Sequence, residues 1–307
     1  MGSLRAAFLM YEKYNKKDLK LNTKNNKLTY VVLFSGGESS ACVAYMAKRK
    51  VEEEGGKVIL LNHNISLKSE DEDIKRFKKE VSAYLKLPIT YANMENWENE
   101  TPISICRKLG GFKFANGHAM CTAKLKTEPF YKYLKENFPV TKEMIAAGKV
   151  REDVIFLYGF DKNETSRIQR RIGIMANMGY KCDFPLAFWD NPIRSSDEFG
   201  IKRPSTYNIY KHANCRGCLK AGKQSWYITY CLHPEIWAEA VLAEKEIGHS
   251  ILKDCYLEDL EPTFQKMKCR GINPSEIQKN PARFWSEVKK ALPVEGQISF
   301  LPCECAL

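Results

Sequence analysis

The sequence lacks several features that would assign it to a large class of proteins. No apolar run approaches the roughly 20 residues that a membrane-spanning helix needs. The first ten residues are too short and too weakly apolar for a secretory signal, and position 6 does not hold the Ser or Thr of a myristoylation signal. The Walker phosphate-binding pattern, internal repeats and low-complexity linkers are also absent. We therefore expect a globular protein of the cytoplasm.

Composition adds two positive signals. The chain has 307 residues, of which 44% are hydrophobic, enough to build a core and to exclude wholesale disorder. Lys and Arg outnumber Asp and Glu by 48 to 37, and the net charge of +11 suits an anionic ligand such as a nucleotide or a nucleic acid. The 11 cysteines are an odd number without a secretory signal, which argues against a disulfide framework. Reduced thiols, metal ligation or sulfur chemistry are the remaining uses.

Apolar strands alternate with helical stretches through the first two-thirds of the chain. The predicted strands are residues 30–34, 57–61, 88–91 and 154–158. The predicted helices are residues 41–50, 71–87, 121–138, 164–178 and, after a change to a mainly helical pattern near residue 189, residues 234–248 and 274–292. The alternation predicts an α/β fold, a mostly parallel sheet with helices on both faces, followed by a mainly helical C-terminal region. We expect two domains, residues 1–188 and 189–307.

A glycine-containing turn follows the first predicted strand and leads into a helix. The order of strand, glycine turn and helix N-terminus predicts an anion site, because glycine lets the backbone approach an oxyanion and the helix dipole attracts it. Serine hydroxyls supply further donors. The candidate phosphate-binding residues are Ser35, Gly36, Gly37, Glu38, Ser39 and Ser40.

This turn resembles the Ser-Gly-Gly-x-Asp-Ser loop of the PP-loop ATP pyrophosphatases, with Ser39 where the family often has Asp. The resemblance implies the parallel α/β fold of the HUP type, to which PP-loop proteins belong. It also implies ATP as substrate, cleavage between its α and β phosphates, adenylation of an acceptor and release of pyrophosphate. Mg²⁺ is expected at the phosphates, with Glu38 as a candidate to help hold it.

A second motif follows the strand predicted at 154–158. The stretch from Gly159 to Arg167 resembles the Gly-x-Arg-x-x-Glu-Ser-x-x-Arg segment of the PAPS and APS reductases, which reduce phosphoadenylyl and adenylyl sulfate. Gly159 and Arg167 are therefore candidate nucleotide contacts, and Arg167 could pair with a phosphate. A capped helix with a surface arginine is the alternative. His63, after the second strand, lies where this fold meets adenine or ribose, or else is a loop histidine.

Two cysteine motifs extend the resemblance. The stretch from Cys121 to Pro129 is similar to the Cys-Cys-x-x-x-Lys-x-x-Pro stretch of APS reductases, in which two cysteines help to hold a 4Fe–4S cluster. Met120 replaces the first cysteine, and Lys124 is a candidate phosphate contact. Cys215 and Cys218 form a Cys-x-x-Cys turn, a half-site for zinc or iron–sulfur ligation that resembles a later pair in the reductases.

Cys121, Cys215 and Cys218 are the candidate metal ligands, and three arrangements remain open. A 4Fe–4S cluster with three protein ligands would leave one iron open, as in the tRNA thiolation enzymes of the same superfamily. A zinc site would take His212 or His118 as fourth ligand. Without metal, one cysteine could carry a persulfide that another resolves.

The remaining cysteines are assigned by their neighbours. The final Cys303 and Cys305 stand in a tail similar to the Glu-Cys-Gly-Leu-His end of PAPS reductases, and are candidates for chemistry or ligation. The others are expected to be inert thiols among apolar or mixed neighbours. They are Cys42, Cys106, Cys182, Cys231, Cys255 and Cys269.

Together the motifs predict an ATP-dependent sulfurtransferase that adenylates an acceptor carbonyl and replaces its oxygen by sulfur. The expected catalytic residues are Cys121, Cys215, Lys124 and Arg167. The expected partners are a small purine-like metabolite or an RNA nucleobase as acceptor, sulfide or a persulfide carrier as sulfur donor, and a second copy in a homodimer. A thiol-dependent PAPS or APS reductase that releases sulfite is one alternative, and a non-catalytic nucleotide-binding accessory or sensor protein is the other.

Overall fold

The computed structural model of the chain describes residues 28–277 and 280–292. These residues form two compact units, each drawn from separate stretches of the chain. The first unit comprises residues 28–63, 75–92 and 130–204. The second unit comprises residues 64–74, 93–129, 205–277 and 280–292. The domain division suggested by the sequence, at residue 188, stays a prediction.

The first unit contains a parallel sheet of five strands. The strands are β1 (Thr29–Leu33), β2 (Lys57–Asn62), β3 (Ile89–Tyr91), β4 (Arg151–Leu157) and β5 (Tyr180–Asp183). Their order across the sheet is β3-β2-β1-β4-β5, and every neighbouring pair is parallel. The chain moves outward from β1 to β2 and β3, then returns to place β4 on the other side of β1. The expected parallel α/β fold is therefore confirmed.

Helices alternate with the strands along the chain and then follow them. Up to residue 204 they are α1 (Glu38–Glu54), α2 (Glu72–Leu85), α3 (Pro102–Leu109), α4 (Met120–Thr122), a π-helical segment (Ala123–Thr127), α5 (Glu128–Asn137), α6 (Lys142–Ala146), α7 (Thr165–Asn177) and α8 (Pro185–Phe188). Beyond it they are α9 (Lys223–Leu232), α10 (Pro234–Ile247), α11 (Leu257–Cys269) and α12 (Pro281–Ala291). The C-terminal region is mainly helical, as expected. Among the described residues, none of these helices combines the length and the apolarity needed to cross a membrane.

Alternate strand residues face opposite sides of the sheet, as the pleat requires. Val32 and Leu60 are buried in one cluster with residues of α1 and α2. Val31 and Phe156 are buried in another with residues of α5 and α7. Both faces are thus covered by helices, which explains why the strands read as continuous apolar runs rather than alternating ones.

Several elements differ from the sequence prediction, and three of them have a clear local reason. The four-residue strand β5 contains Lys181 and Asp183, so its apolar signal is too short to detect, yet it pairs with β4. Helix α11 contains Pro262, which argues against a helix in a sequence-based prediction. Helix α12 begins seven residues later than expected, because the Asn280 side chain accepts the Arg283 N–H and caps it there.

Candidate functional site

Residues 35–40, here called the glycine loop, connect the carboxyl end of β1 to α1. Gly36 has φ +85°, in the left-handed region where a side chain would be strained. Gly37 is the N-cap of α1, and a glycine cap places no side chain over the first helical turn. An oxyanion can therefore approach the first-turn N–H groups, which lie at the positive end of the helix dipole.

The three serines of the glycine loop have different surroundings. Ser40 is buried, and its hydroxyl donates to the Gly37 carbonyl at 2.8 Å, which holds the turn together. Ser35 Oγ lies 3.2 Å from Ser40 Oγ and accepts the Gly37 N–H at 3.4 Å. Ser35 and Ser39 are exposed to solvent. Ser40 thus shapes the loop, whereas Ser35 and Ser39 can reach a ligand.

Gly159 lies against the glycine loop. A Cβ atom at this position would be 3.2 Å from the Ser39 carbonyl carbon and from the Ser40 nitrogen, which are backbone atoms of α1. The carboxyl ends of β1 and β4 meet where the strand order reverses, and open α/β sheets bind ligands at such a position. The structure therefore brings the two glycine motifs of the sequence together.

Arg167 lies in the first turn of α7, beyond Gly159. Its guanidinium forms an ion pair with Glu164 and lies 4.2 Å from the centre of the Phe160 ring. The side chain is 55% exposed, so it keeps donors that a phosphate could share. The arrangement is compatible with both uses expected from the sequence, a phosphate contact and a surface ion pair.

Glu38 carries a structural contact that the sequence did not suggest. Its Oε1 accepts the Ser195 hydroxyl at 3.0 Å and the Ser196 N–H at 3.2 Å. Glu38 thereby ties the start of α1 to the segment that follows α8. One carboxylate oxygen of Glu38 is therefore used in a structural contact. The expected role of Glu38 at Mg²⁺ stays a prediction.

A buried lysine supports the glycine loop from within the first unit. Lys78 of α2 is only 1% exposed and donates to Asn62 Oδ1 at 3.4 Å. The Asn62 amide in turn donates to the carbonyl of Phe34, the residue before the loop, at 2.5 Å. Lys78 lies 38 positions after Ser40, the last residue of the loop, so the sequence offers no signal for this connection beyond a lysine on an amphipathic helix.

His63 directly follows β2. Its Nδ1 lies 2.6 Å from the Ala92 carbonyl oxygen, and its ring stands edge-on to Phe130 with the centroids 6.2 Å apart. These contacts fix the ring, as in a satisfied loop histidine. Its expected role near adenine or ribose stays a prediction.

The second unit holds the Cys-x-x-Cys turn. Gly217 has φ +64°, and a Cβ there would lie 2.5 Å from Ile236 Cγ2, so only glycine fits. The Arg216 N–H donates to the Ser69 carbonyl at 2.7 Å, and its guanidinium donates to the carbonyls of Leu67 and Glu70 at 3.2 and 3.0 Å. These bonds fasten the turn between Cys215 and Cys218 to residues 67–70.

The cysteines expected to bind metal lie near one another in the second unit. Burial raises the pKa of Cys215 to about 11 and raises that of Cys218, and each is raised further by the negative charge of Cys121. The neighbouring Cys106 thiol lowers the pKa of Cys121, and Cys121 raises that of Cys106. The expectation that Cys106 is inert stays a prediction.

Lysines surround the same thiols. Lys126 lowers the pKa of Cys121, Cys215 and Cys218, and Lys220 lowers that of Cys121 and Cys218. Lys124 forms an ion pair with Glu128 one helical turn away, at 2.8 Å, and its expected role as a phosphate contact stays a prediction.

The donor set fits a soft metal, although its side chains are not already gathered around one point. Within residues 28–277 and 280–292, no three His, Cys, Asp or Glu side chains form a ready metal-binding group. Cys121 is buried, and Cys215 and Cys218 are partly buried, all three as free thiols. His212, one proposed fourth ligand, is exposed, whereas His118 is half-buried. Cys303 and Cys305 lie outside the described residues.

Comparison with known proteins does not assign this chain to a family. No protein-family model matches the sequence, and no curated protein matches it. The similarity to PP-loop proteins therefore rests on the motifs, and the structure contributes the parallel α/β fold.

Proposed function

We propose that this protein is an ATP-dependent sulfurtransferase of the PP-loop type. The observation that carries the proposal is the glycine loop, which enters α1 at the reversal of strand order and is contacted by Gly159. An uncapped helix N-terminus between two glycine turns suits a polyphosphate better than a neutral ligand. ATP with Mg²⁺ is the ligand that the motif predicts.

In the first step, an acceptor carbonyl oxygen attacks the α-phosphorus of ATP. The bond from that phosphorus to the bridging oxygen of the β-phosphate breaks, and pyrophosphate leaves. Ser35, Ser39 and the N–H groups of α1 hold the phosphates, while Arg167 offsets the developing charge. We assign Lys124 the same electrostatic role, as its motif predicts, with Glu128 as its resting partner. The product of this step is an O-adenylated acceptor.

In the second step, hydrosulfide sulfur attacks the activated carbon. The carbon–oxygen bond breaks, AMP leaves and one proton is released, so that the acceptor carries sulfur in place of oxygen. The hydrosulfide is either free sulfide or is released from a persulfide carrier when a second thiol attacks the persulfide, and the two thiols are then left as a disulfide. A nucleobase in RNA and a free purine-like metabolite are both acceptors of the required chemistry, and the net charge of +11 suits the RNA.

The thiols of the second unit are the part of the molecule suited to sulfur and metal chemistry. Cys121, Cys215 and Cys218 would hold a metal centre there, and Cys121 and Cys215 are the thiols assigned to sulfur handling. A bound 4Fe–4S cluster would supply sulfur-binding chemistry, whereas bound Zn²⁺ would supply structural cross-linking. The neighbouring Cys106 thiol lowers the pKa of Cys121, which favours its thiolate, the form that either chemistry needs.

Two measurements test the proposal. The first is binding of α,β-methylene ATP with Mg²⁺, which needs no acceptor; the second is release of pyrophosphate and AMP with sulfide and either bulk tRNA or free nucleobases. The double variant Ser35→Ala, Gly37→Ala should lose both. Gly173→Ala is the control, because a Cβ at Gly173 meets no atom within 4 Å.

Other outcomes would overturn the proposal. Unchanged nucleotide binding in the double variant would remove the glycine loop from the site. Release of sulfite from PAPS or APS, without pyrophosphate release from ATP, would favour the reductase. Nucleotide binding without turnover of any acceptor would favour an accessory or sensor protein.

A further inference from the structure

Helix α7 carries three arginines on one side, and we call them the arginine strip. They are Arg167, Arg170 and Arg171, whose spacing of three and four residues places them on one face of the helix. Ile168 and Ile172, on the other side of α7, are buried in the core of the first unit. Arg167 has a role in the proposed ATP site, whereas Arg170 and Arg171 have none in it.

A charged helix face is most often a solvated surface, and α1 shows how such a surface is built. Its Lys48, Arg49 and Lys50 each pair with the glutamate four residues later, at 3.4, 3.9 and 2.7 Å. Pairs of this spacing stabilise a helix. The basic residues at the end of α1 are therefore compensated within their own helix.

The arginine strip is not compensated in this way. Helix α7 contains no Asp or Glu, and Arg167 and Arg171 place like charges one turn apart, which opposes helix formation. Arg167 pairs with Glu164, which precedes the helix. Arg170 is exposed, and among the described residues no carboxylate pairs with it. An anionic partner would remove the repulsion between these charges.

Aromatic rings hold two of the guanidinium groups in place. The Arg167 guanidinium lies 4.2 Å from the centre of the Phe160 ring, and the Arg171 guanidinium lies 4.9 Å from the centre of the Tyr158 ring. The centres of the two rings are 5.7 Å apart. A guanidinium stacked on a ring keeps N–H donors at its edge, and these donors match the oxygens of a phosphate.

The arginine strip begins beside the candidate nucleotide site. Tyr158 and Phe160 flank Gly159, where a Cβ would lie 3.2 Å from backbone atoms of Ser39 and Ser40. Because α7 connects the parallel strands β4 and β5, it runs back from the carboxyl edge of the sheet. A polyanion bound along the strip therefore has one end at the edge that carries the glycine loop.

We propose that the arginine strip binds the phosphate backbone of RNA, with Arg170 and Arg171 as phosphate contacts, so that the acceptor is a nucleobase in RNA. The choice of RNA rests on the proposed function, in which a nucleobase carbonyl is one of two acceptors. A free purine-like metabolite has no phosphate backbone for Arg170 and Arg171 to bind. Contacts of this kind position a nucleic acid without reading its sequence.

The first test measures binding of RNA to the full chain. The anisotropy of a labelled single-stranded RNA is recorded at several salt concentrations, with single-stranded DNA of the same length and polyglutamate as competitors. The RNA should bind, and its affinity should fall as salt rises, because each phosphate contact releases counterions. Absence of RNA binding would overturn the proposal. Stronger competition by polyglutamate or by DNA than by unlabelled RNA would also overturn it, in favour of an acidic protein or of DNA.

The second test compares Arg170→Gln with Arg49→Gln, which removes the same charge from an exposed position on α1. In Arg170→Gln the slope of log affinity against log salt should fall by about 0.7, and the affinity at about 0.1 M salt should fall about fivefold. Adding Arg171→Gln should lower both further. Arg49→Gln should change neither quantity, and Arg170→Lys should keep most of the affinity. An unchanged slope in Arg170→Gln, with folding checked by circular dichroism, would overturn the proposal.

Two further measurements separate this inference from the proposed function. Arg170→Gln should bind α,β-methylene ATP with unchanged affinity, because Arg170 is not part of the glycine loop. RNA binding that depends on Arg170, without pyrophosphate release from ATP, would uphold the RNA surface and reject the sulfurtransferase. Release of pyrophosphate and AMP with free nucleobases, without RNA binding, would uphold the sulfurtransferase and reject the RNA surface.

Discussion

The glycine loop and the Cys-x-x-Cys turn differ in what holds them in place. In the glycine loop, consecutive backbone groups and short hydroxyl contacts form the candidate site, and distant residues touch it at Gly159 and, through the Glu38 side chain, at Ser195 and Ser196. The Cys-x-x-Cys turn is held by Arg216, which donates to backbone carbonyls of residues 67–70, and by Gly217, which lies against Ile236. The first site depends mainly on local conformation, and the second depends on contacts between distant segments.

This difference predicts how substitutions will affect each site. A local backbone site should be sensitive to any added Cβ atom that displaces its turn, while the rest of the unit stays folded. A site assembled from distant segments should lose its chemistry together with the stability of its unit. The following four predictions test this contrast.

The largest effect is expected for Gly217→Ala in the second unit. The change adds backbone strain at φ +64° and places a Cβ 2.5 Å from Ile236 Cγ2, so the free energy of unfolding should fall by about 2–4 kcal/mol. Metal affinity should fall with it. Gly248→Ala is the matched control, since Gly248 has φ +74° but no atom within 4 Å of the added Cβ. It should cost only about 1–2 kcal/mol. Denaturant titration measures both, and equal losses would refute the clash with Ile236.

Gly159→Ala should have the next largest effect, and it should be on binding rather than on folding. The added Cβ would contact backbone atoms of Ser39 and Ser40 and displace the first turn of α1. We expect the affinity for α,β-methylene ATP to fall about tenfold or more, since small displacements of a positioning group are costly. Gly173→Ala, whose added Cβ meets no atom within 4 Å, should bind α,β-methylene ATP with unchanged affinity. Equal affinities in the two variants would show that the contact with α1 does not matter for nucleotide binding.

Lys78→Met should weaken nucleotide binding without destabilising the protein, because Lys78 positions the glycine loop. Methionine can fill the buried space, but it cannot donate to Asn62, and it removes a positive charge from beneath the loop. Nucleotide affinity should fall severalfold, on the order of 1 kcal/mol, with little loss of stability. Lys79→Met, at the exposed neighbouring position, should change neither quantity. Calorimetric titration with the ATP analogue decides between them, and an unaffected Lys78→Met would exclude the connection through Asn62.

The smallest effect concerns Glu244 in the second unit. This buried carboxylate accepts the N–H groups of Ile251 and Leu257, both at 2.6 Å, and burial raises its pKa. The protonated form is favoured on folding, so its contribution to stability is greatest below the unfolded pKa, about 4.3, and is lost as pH rises through the folded value. The stability advantage of wild type over Glu244→Gln should therefore be larger at pH 4.5 than at pH 7.5. Denaturant titrations at the two pH values measure it, and a constant difference would contradict the raised pKa.

The sequence by itself determined the features that short segments encode. Apolar runs identified β1, β2, β3 and β4, and the change of pattern after residue 189 identified the helical region. The glycine loop could also be predicted, because Gly36 must adopt a conformation that few other residues accept and because the helix follows at once. Such signals depend on only a few neighbouring residues, so they can be recognised without knowledge of the fold.

Only the tertiary structure decided which distant residues meet. Strand β5 is too short to stand out, and it exists because β4 offers it a partner. The burial of Lys78 and the support from Arg216 likewise follow from packing. Local conformation is set by the backbone preferences of adjacent residues, whereas membership of a site depends on which surfaces are buried together.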